Sequence, residues 1–257
     1  MHPRINRDRF LCRSLSICAV LMASCLPILA GDNLVVRQNV SQSNREELAR
    51  RLRTITGWAD LAFDSDGAMR IGHAEPQVGS QSARNLLNKA FTGKRVILLE
   101  DASSRKDVVF CRVVLASMDQ VTSSEVFVVL IDFADFRKVT GDKQALAAFD
   151  VGWAILHEID HVVEDSYDPQ EDVAGDCESH VNRMRRELGL PVRNSYFFSF
   201  LPVKNEGTVI SRFVRLGFDQ QDAASAKRKR YWLIWDAAVV GGLTSDDRVA
   251  RVSCDIS

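Results

Sequence analysis

His157, Glu158 and His161 stand in the run His-Glu-Ile-Asp-His. On a helix, residues four apart lie one turn apart on the same face. Two imidazoles so placed can share one divalent cation, at about 2.0–2.1 Å if it is Zn²⁺. Glu158 directly follows the first histidine, and its carboxylate can act as general base on a water activated by that cation. The chemistry implied is hydrolysis of a bond that unassisted water attacks slowly, an amide above all. The spacing has this meaning only on a helix. Lys143 to Asp165 contains no Pro and is rich in Ala, Leu and Ile, and Asp142 is expected to cap its start. Phe149, Trp153, Leu156, Ile159 and Val163 form an apolar stripe beside the histidines. The competing reading is two hydrogen-bonded histidines on a partly buried helix, with no metal.

A hydrolytic zinc site takes three protein ligands and keeps a fourth position for water. The third ligand should lie downstream, on another element. Residues 166–175 are acidic and interrupted by Pro169 and Gly175, which is loop chemistry. A second helix is expected from near Asp176 through Glu178, Val181, Met184 and Leu188, ending at Gly189-Leu190-Pro191. Glu178 falls in its first turn, seventeen residues after His161, where a helix hairpin can turn a carboxylate back onto the histidines. Asp176, Asp172, His180 and Cys177 compete for the same role, Cys177 as the softer ligand type. The acidic stretch lacks the spaced Asp/Asn and Gly pattern of an EF-hand calcium loop.

A helix carrying HExxH, a loop, then a helix carrying Glu resembles the gluzincin branch of the zincin metallopeptidases. The resemblance implies Zn²⁺ held by His157, His161 and Glu178, with Glu158 as the catalytic base and Asn182 orienting a ligand histidine. It also implies a peptide or protein substrate. The run Asn182 to Tyr196 is similar to the segment after the ligand Glu in bacterial effector- and toxin-type HExxH peptidases, where Glu-Asn precedes an Arg-rich helix end, a Gly-x-Pro stop, then Arg and Tyr. Here Val181 stands where that Glu is expected, so Glu178, one turn earlier, would take its place. The likeness covers roughly residues 150–196. Tyr196, Arg193 and His180 are candidate oxyanion donors, each with a plain structural alternative.

Arg4, Arg7, Arg9 and Arg13 precede an apolar stretch from Leu15 to Leu26 and a small residue at Ala30. Residues 1–30 therefore read as a signal peptide, too short for a convincing membrane span. Export to the periplasm or medium is the expectation, with a lipid anchor at Cys25 as the alternative. The chain would keep Cys111, Cys177 and Cys254, an odd number in which at least one thiol is unpaired or on a metal. Residues 31–257 suit one zincin-like domain, with a sheet-rich part over 31–135 and the metal helices and last strands over 136–257. A net charge of −1 gives no nucleic-acid bias, and Lys227–Arg230 reads as a solvated strand entry.

Asn33–Val40 is expected to be a short strand, and Asn44–Ile55 and Ala83–Phe91 helices. Arg95–Leu99, Val108–Ala116 and Val126–Phe133 read as strands of an antiparallel or mixed sheet. Tyr196–Val203 and Thr208–Phe218 read as a hairpin around Asn205-Glu206-Gly207, and Tyr231–Val240 as a final strand. The fold class expected is α+β, with a twisted mixed sheet packed on the HExxH helix and a second ligand-bearing helix, and a C-terminal β hairpin. The leading function is an exported zinc metallopeptidase. The alternatives are a non-catalytic zinc-binding protein, with a closed site that includes Cys177, and a metal-dependent hydrolase of another amide.

Overall fold

The structure is a computed structural model that describes residues 33–72, 76, 78–118, 124–168, 173–195, 197–201, 211–222, 225 and 227–240. The expected signal peptide, Cys25, Asp172, Tyr196, Cys254 and the turn at Asn205–Gly207 lie outside these residues. The fold is α+β, as the sequence implies.

The elements run β1 (Leu34–Val36), α1 (Gln42–Thr56), β2 (Ala62–Phe63), β3 (Met69–Arg70), α2 (Gln81–Thr92), β4 (Val96–Asp101), β5 (Cys111–Met118) and β6 (Glu125–Ile131). There follow α3 (Phe133–Phe136), β7 (Thr140–Gly141), α4 (Lys143–Ala147), α5 (Val151–Glu164), α6 (Asp176–Glu187), β8 (Ser199–Phe200), β9 (Phe213–Gln221), β10 (Arg228–Asp236) and α7 (Ala237–Val240).

The first sheet has the order β1-β4-β6-β5. β1, β4 and β6 are parallel, and β5 runs antiparallel to β6 at the edge. Parallel neighbours need crossovers longer than a tight turn; α1 and α2 lie in the chain between β1 and β4. Both helices begin at serines whose hydroxyls accept from the first turn, Ser41 from Asn44 and Ser80 from Ala83. β5 starts later than the apolar run from Val108 suggests. Phe110 has φ of 63°, a left-handed conformation costly for an aromatic residue, and it separates Val108 and Val109 from the strand that starts at Cys111.

The second sheet, β7-β10-β9-β8, is antiparallel. The expected final strand is shorter at its end than the sequence suggests: β10 stops at Asp236, whose carboxylate accepts from Ala238 N–H at 3.1 Å and starts the four-residue α7. The two sheets meet at an aromatic seam in which the Phe110 ring lies 5.1–5.4 Å from those of Phe136, Phe149 and Trp235.

The helix expected over Lys143–Asp165 is interrupted. α4 ends at Ala147 and α5 begins at Val151. The cause is local: Asp150 Oδ1 accepts from Gly152 N–H at 2.9 Å and Trp153 N–H at 3.3 Å. A carboxylate cap of this kind contributes about 1 kcal/mol to a helix start. Asp142 sits at the start of α4 but gives its carboxylate to Trp232 N–H instead. α5 packs against α1, α2, α6 and β5, and eleven of its fourteen residues are buried. A helix covered on nearly every face must satisfy each polar side chain it carries from within the protein. His157, Glu158, Asp160 and His161 are all under that constraint.

Candidate metal centre

α5 sets His157 and His161 one turn apart, and their Nε2 atoms approach to 3.2 Å. The helix ends at Asp165, which adopts a left-handed conformation at φ 52°. This reversal brings the Ser166 carbonyl to 2.7 Å from His161 Nδ1. A carbonyl can only accept, so Nδ1 carries the proton and Nε2 of a neutral ring keeps its lone pair. Two residues on, Asp168 lies over both rings. Its Oδ1 is 3.2 Å from His157 Nε2, and its Oδ2 is 3.3 Å from His161 Nε2. Both oxygens are buried, and among the described residues no hydrogen-bond donor is aligned on either.

Two imidazole nitrogens and a carboxylate without an aligned donor thus converge in a buried space. The carboxylate charge is balanced there by a proton on an imidazole or by a cation among the atoms. Tetrahedral coordination at about 2.0–2.1 Å puts neighbouring ligand atoms about 3.3–3.4 Å apart. The observed separations fit that requirement. The same field acts on a proton. Burial works against charge on His161, but Asp168, Glu158 and the Ser166 carbonyl outweigh it and lift the His161 pKa to about 9. Burial acts to raise the Asp168 pKa, but the two imidazoles hold it well below the ordinary carboxylate range.

Cys177, the second residue of α6, completes the cluster. The donor atoms of His157, His161, Asp168 and Cys177 lie within 4.8 Å of one another. The buried thiol donates to the His157 carbonyl at 3.2 Å. Burial, reinforced by Asp160 and other carboxylates, pushes its pKa well above the usual thiol value. Cys111 and Cys177 are separate buried thiols.

The structure does not bring Glu178 to the Nε2 pair. Its Oε2 lies 3.7 Å from His157 Nδ1, on the other side of that ring, at a separation too long for a hydrogen bond. Its carboxylate is instead paired with two guanidiniums: Arg185 Nη1 donates to Oε1, and Arg193 Nη1 to Oε2 at 3.2 Å. Burial raises the Glu178 pKa, but Arg185, Arg193 and His157 outweigh it and lower the net value. Asn182, expected to orient a histidine, fastens the chain after α6. Its Oδ1 accepts from Arg185 Nη1 and Arg193 N–H, each at 2.9 Å, and its Nδ2 donates to the Arg193 carbonyl. Val181 is fully buried in the core.

The other candidates separate cleanly. Asp176 is exposed at the start of α6. His180 points away from the centre, with Nδ1 at 2.9 Å from Asp160 Oδ2. Arg193 lines a small cavity of about 30 Å³ together with His157, Glu158, Glu178 and the strained Phe110. Glu158 is buried, and its Oε2 accepts from Val113 N–H of β5 at 2.9 Å. A space of this size has room for about one water.

Asp168 is the residue that sequence reasoning missed. It has no periodic position to mark it, because its place follows from the left-handed turn at Asp165. The one available signal was a carboxylate on a short loop directly behind the second histidine. No protein-family model, curated protein or solved structure matches this chain.

Proposed function

We propose that the chain is a zinc-dependent hydrolase acting on peptide bonds, with His157, His161 and Asp168 as the metal ligands. The observation that carries this reading is the buried Asp168 carboxylate, both of whose oxygens face imidazole nitrogens with no aligned donor. Glu178, expected from the sequence as third ligand, is already neutralised by Arg185 and Arg193. A bound zinc ion would supply Lewis acidity that polarises the scissile carbonyl and acidifies a water.

The protein's own groups carry the rest. The Ser166 carbonyl fixes the His161 tautomer, and Glu178 faces Nδ1 of His157, so both rings present Nε2 to the centre. Glu158 is the general base. It takes a proton from the attacking water and returns it to the leaving amine. The Val113 N–H holds its carboxylate in one orientation. Arg193 lines the same cavity as Glu158 but is engaged there by Glu178, on the Nδ1 side of His157.

Glu158→Gln preserves shape and removes the base. Zinc content should stay at the wild-type level while turnover of a mixed peptide substrate falls by about 10²–10⁴-fold. Unchanged turnover would remove Glu158 from the chemistry.

A second reading has its own observation. The Cys177 sulfur belongs to the same donor group, and a centre closed by four protein ligands is the pattern of structural zinc. Zinc bound with wild-type stoichiometry and no cleavage of any peptide would favour it.

A further inference from the structure

The cluster around His157 and His161 has one donor more than a three-ligand site needs. Cys177 is fully buried, and its Sγ lies within 4.8 Å of the donor atoms of His157, His161 and Asp168. A buried helix cysteine often serves only as a small apolar group. Two features distinguish this one. Its surroundings are ligand atoms: two imidazole nitrogens and a carboxylate without an aligned donor. α6 is also pinned to its surroundings just after the sulfur. His180 pairs with Asp160 of α5, and Glu178 pairs with Arg193 of the segment that follows α6. The sulfur is therefore held near the centre by its own helix. Little of the centre is open: the His157, His161 and Asp168 side chains are 9%, 1% and 12% exposed.

We propose that Cys177 is a fourth protein ligand of this centre and that, at rest, its sulfur fills the position hydrolysis needs open. The inference rests on the zinc-hydrolase reading and adds a means of regulating it. Its chemistry is coordination without electron transfer. As the metal binds, the thiol proton passes to solvent and the sulfur lone pair forms the metal–sulfur bond, replacing the 3.2 Å hydrogen bond to the His157 carbonyl. Opening reverses both steps: the metal–sulfur bond breaks and the sulfur regains a proton. A centre built this way is capped until the sulfur leaves, and any thiol-directed reagent or oxidant that removes the sulfur as a ligand would open it.

X-ray absorption on the zinc-loaded full chain tests the proposal. One sulfur at about 2.3 Å beside nitrogen and oxygen at about 2.0–2.1 Å is the expected shell. Cys177→Ala should leave a shell of nitrogen and oxygen only, release zinc to a chelator at least about tenfold faster, and cleave peptide faster than the wild type. Cys177→Ser keeps the side-chain size and should lose the sulfur signal equally. A wild-type shell of nitrogen and oxygen alone overturns the proposal while leaving the zinc-hydrolase reading intact. Loss of the sulfur signal with unchanged or slower cleavage overturns the capping role. A chain that retains no zinc overturns both.

Discussion

Two buried carboxylates flank His157, and they differ in what surrounds them. Glu178 sits on a regular helix, four residues before Asn182 and seven before Arg185, so its partners share its face of α6. Asp168 sits on a loop, and among the described residues its oxygens meet the two imidazole nitrogens with no aligned donor. Secondary structure alone favours Glu178 as the ligand, because a helix hairpin is a rigid way to deliver a side chain. Charge balance favours Asp168. A carboxylate already held by two guanidiniums has little left to offer a metal, whereas one beside two imidazoles is still open to it. Satisfaction of each oxygen, more than its position on an element, separates ligand from support.

The largest expected effect comes from exchanging these two groups for their amides. Asp168→Asn should lower zinc affinity by more than about 100-fold, beyond what loss of a supporting residue produces, and should leave the fold standing. Glu178→Gln should do the reverse. It leaves two buried guanidiniums without their anion, so stability should fall by about 3–5 kcal/mol, with zinc affinity weakened only about 10–100-fold. Chemical denaturation and competitive zinc titration of the two variants measure both quantities. A large affinity loss for Glu178→Gln with none for Asp168→Asn would restore Glu178 as the ligand.

A smaller effect sharpens the account of the loop. The folded pKa of His161 is raised to about 9, from an ordinary value near 6.5. Its charge therefore stabilises the metal-free fold fully below about 6.5, and that contribution is lost as pH rises through about 9. Zinc needs the neutral ring, so uptake near pH 7.5 should release a proton from His161 beside the one from the Cys177 thiol; in Cys177→Ala, where the His161 proton alone is released, apparent affinity should rise about tenfold per pH unit until about pH 9. Calorimetry in buffers of different ionisation enthalpy counts that proton. Uptake with no proton released would remove the Asp168–His161 pair from the centre.

Much of this fold is legible in the sequence where local rules agree with the tertiary structure. α1, α2 and α6 fall where their apolar periods put them, and α6 stops just before Gly189, whose φ of 66° is left-handed. The misreadings have a common cause. The break between α4 and α5 is set by the Asp150 cap on α5, while the carboxylate of the other aspartate, Asp142, is taken by Trp232 N–H ninety residues away in sequence. The start of β5 depends on the backbone of Phe110, bonded to Asp132 N–H and to the Asp135 carboxylate. At the centre, the two histidines and Glu158 were readable because helix geometry fixes their relation. Asp168 was not, because a single left-handed residue at Asp165 directs the chain that carries it. Glu178, Asn182 and Arg185 did carry a readable sign of their role, since a carboxylate followed by Arg at seven residues shares a helix face with its own counter-ion.

The most direct test of the metal centre is the zinc content of the purified protein, measured alongside His157→Ala, His161→Ala and Asp168→Ala. The account predicts about one zinc per wild-type chain and a loss of bound metal in all three variants, each still folded by circular dichroism. A wild-type chain that binds no zinc, or an Asp168→Ala chain that keeps it at full affinity, would contradict the centre described above.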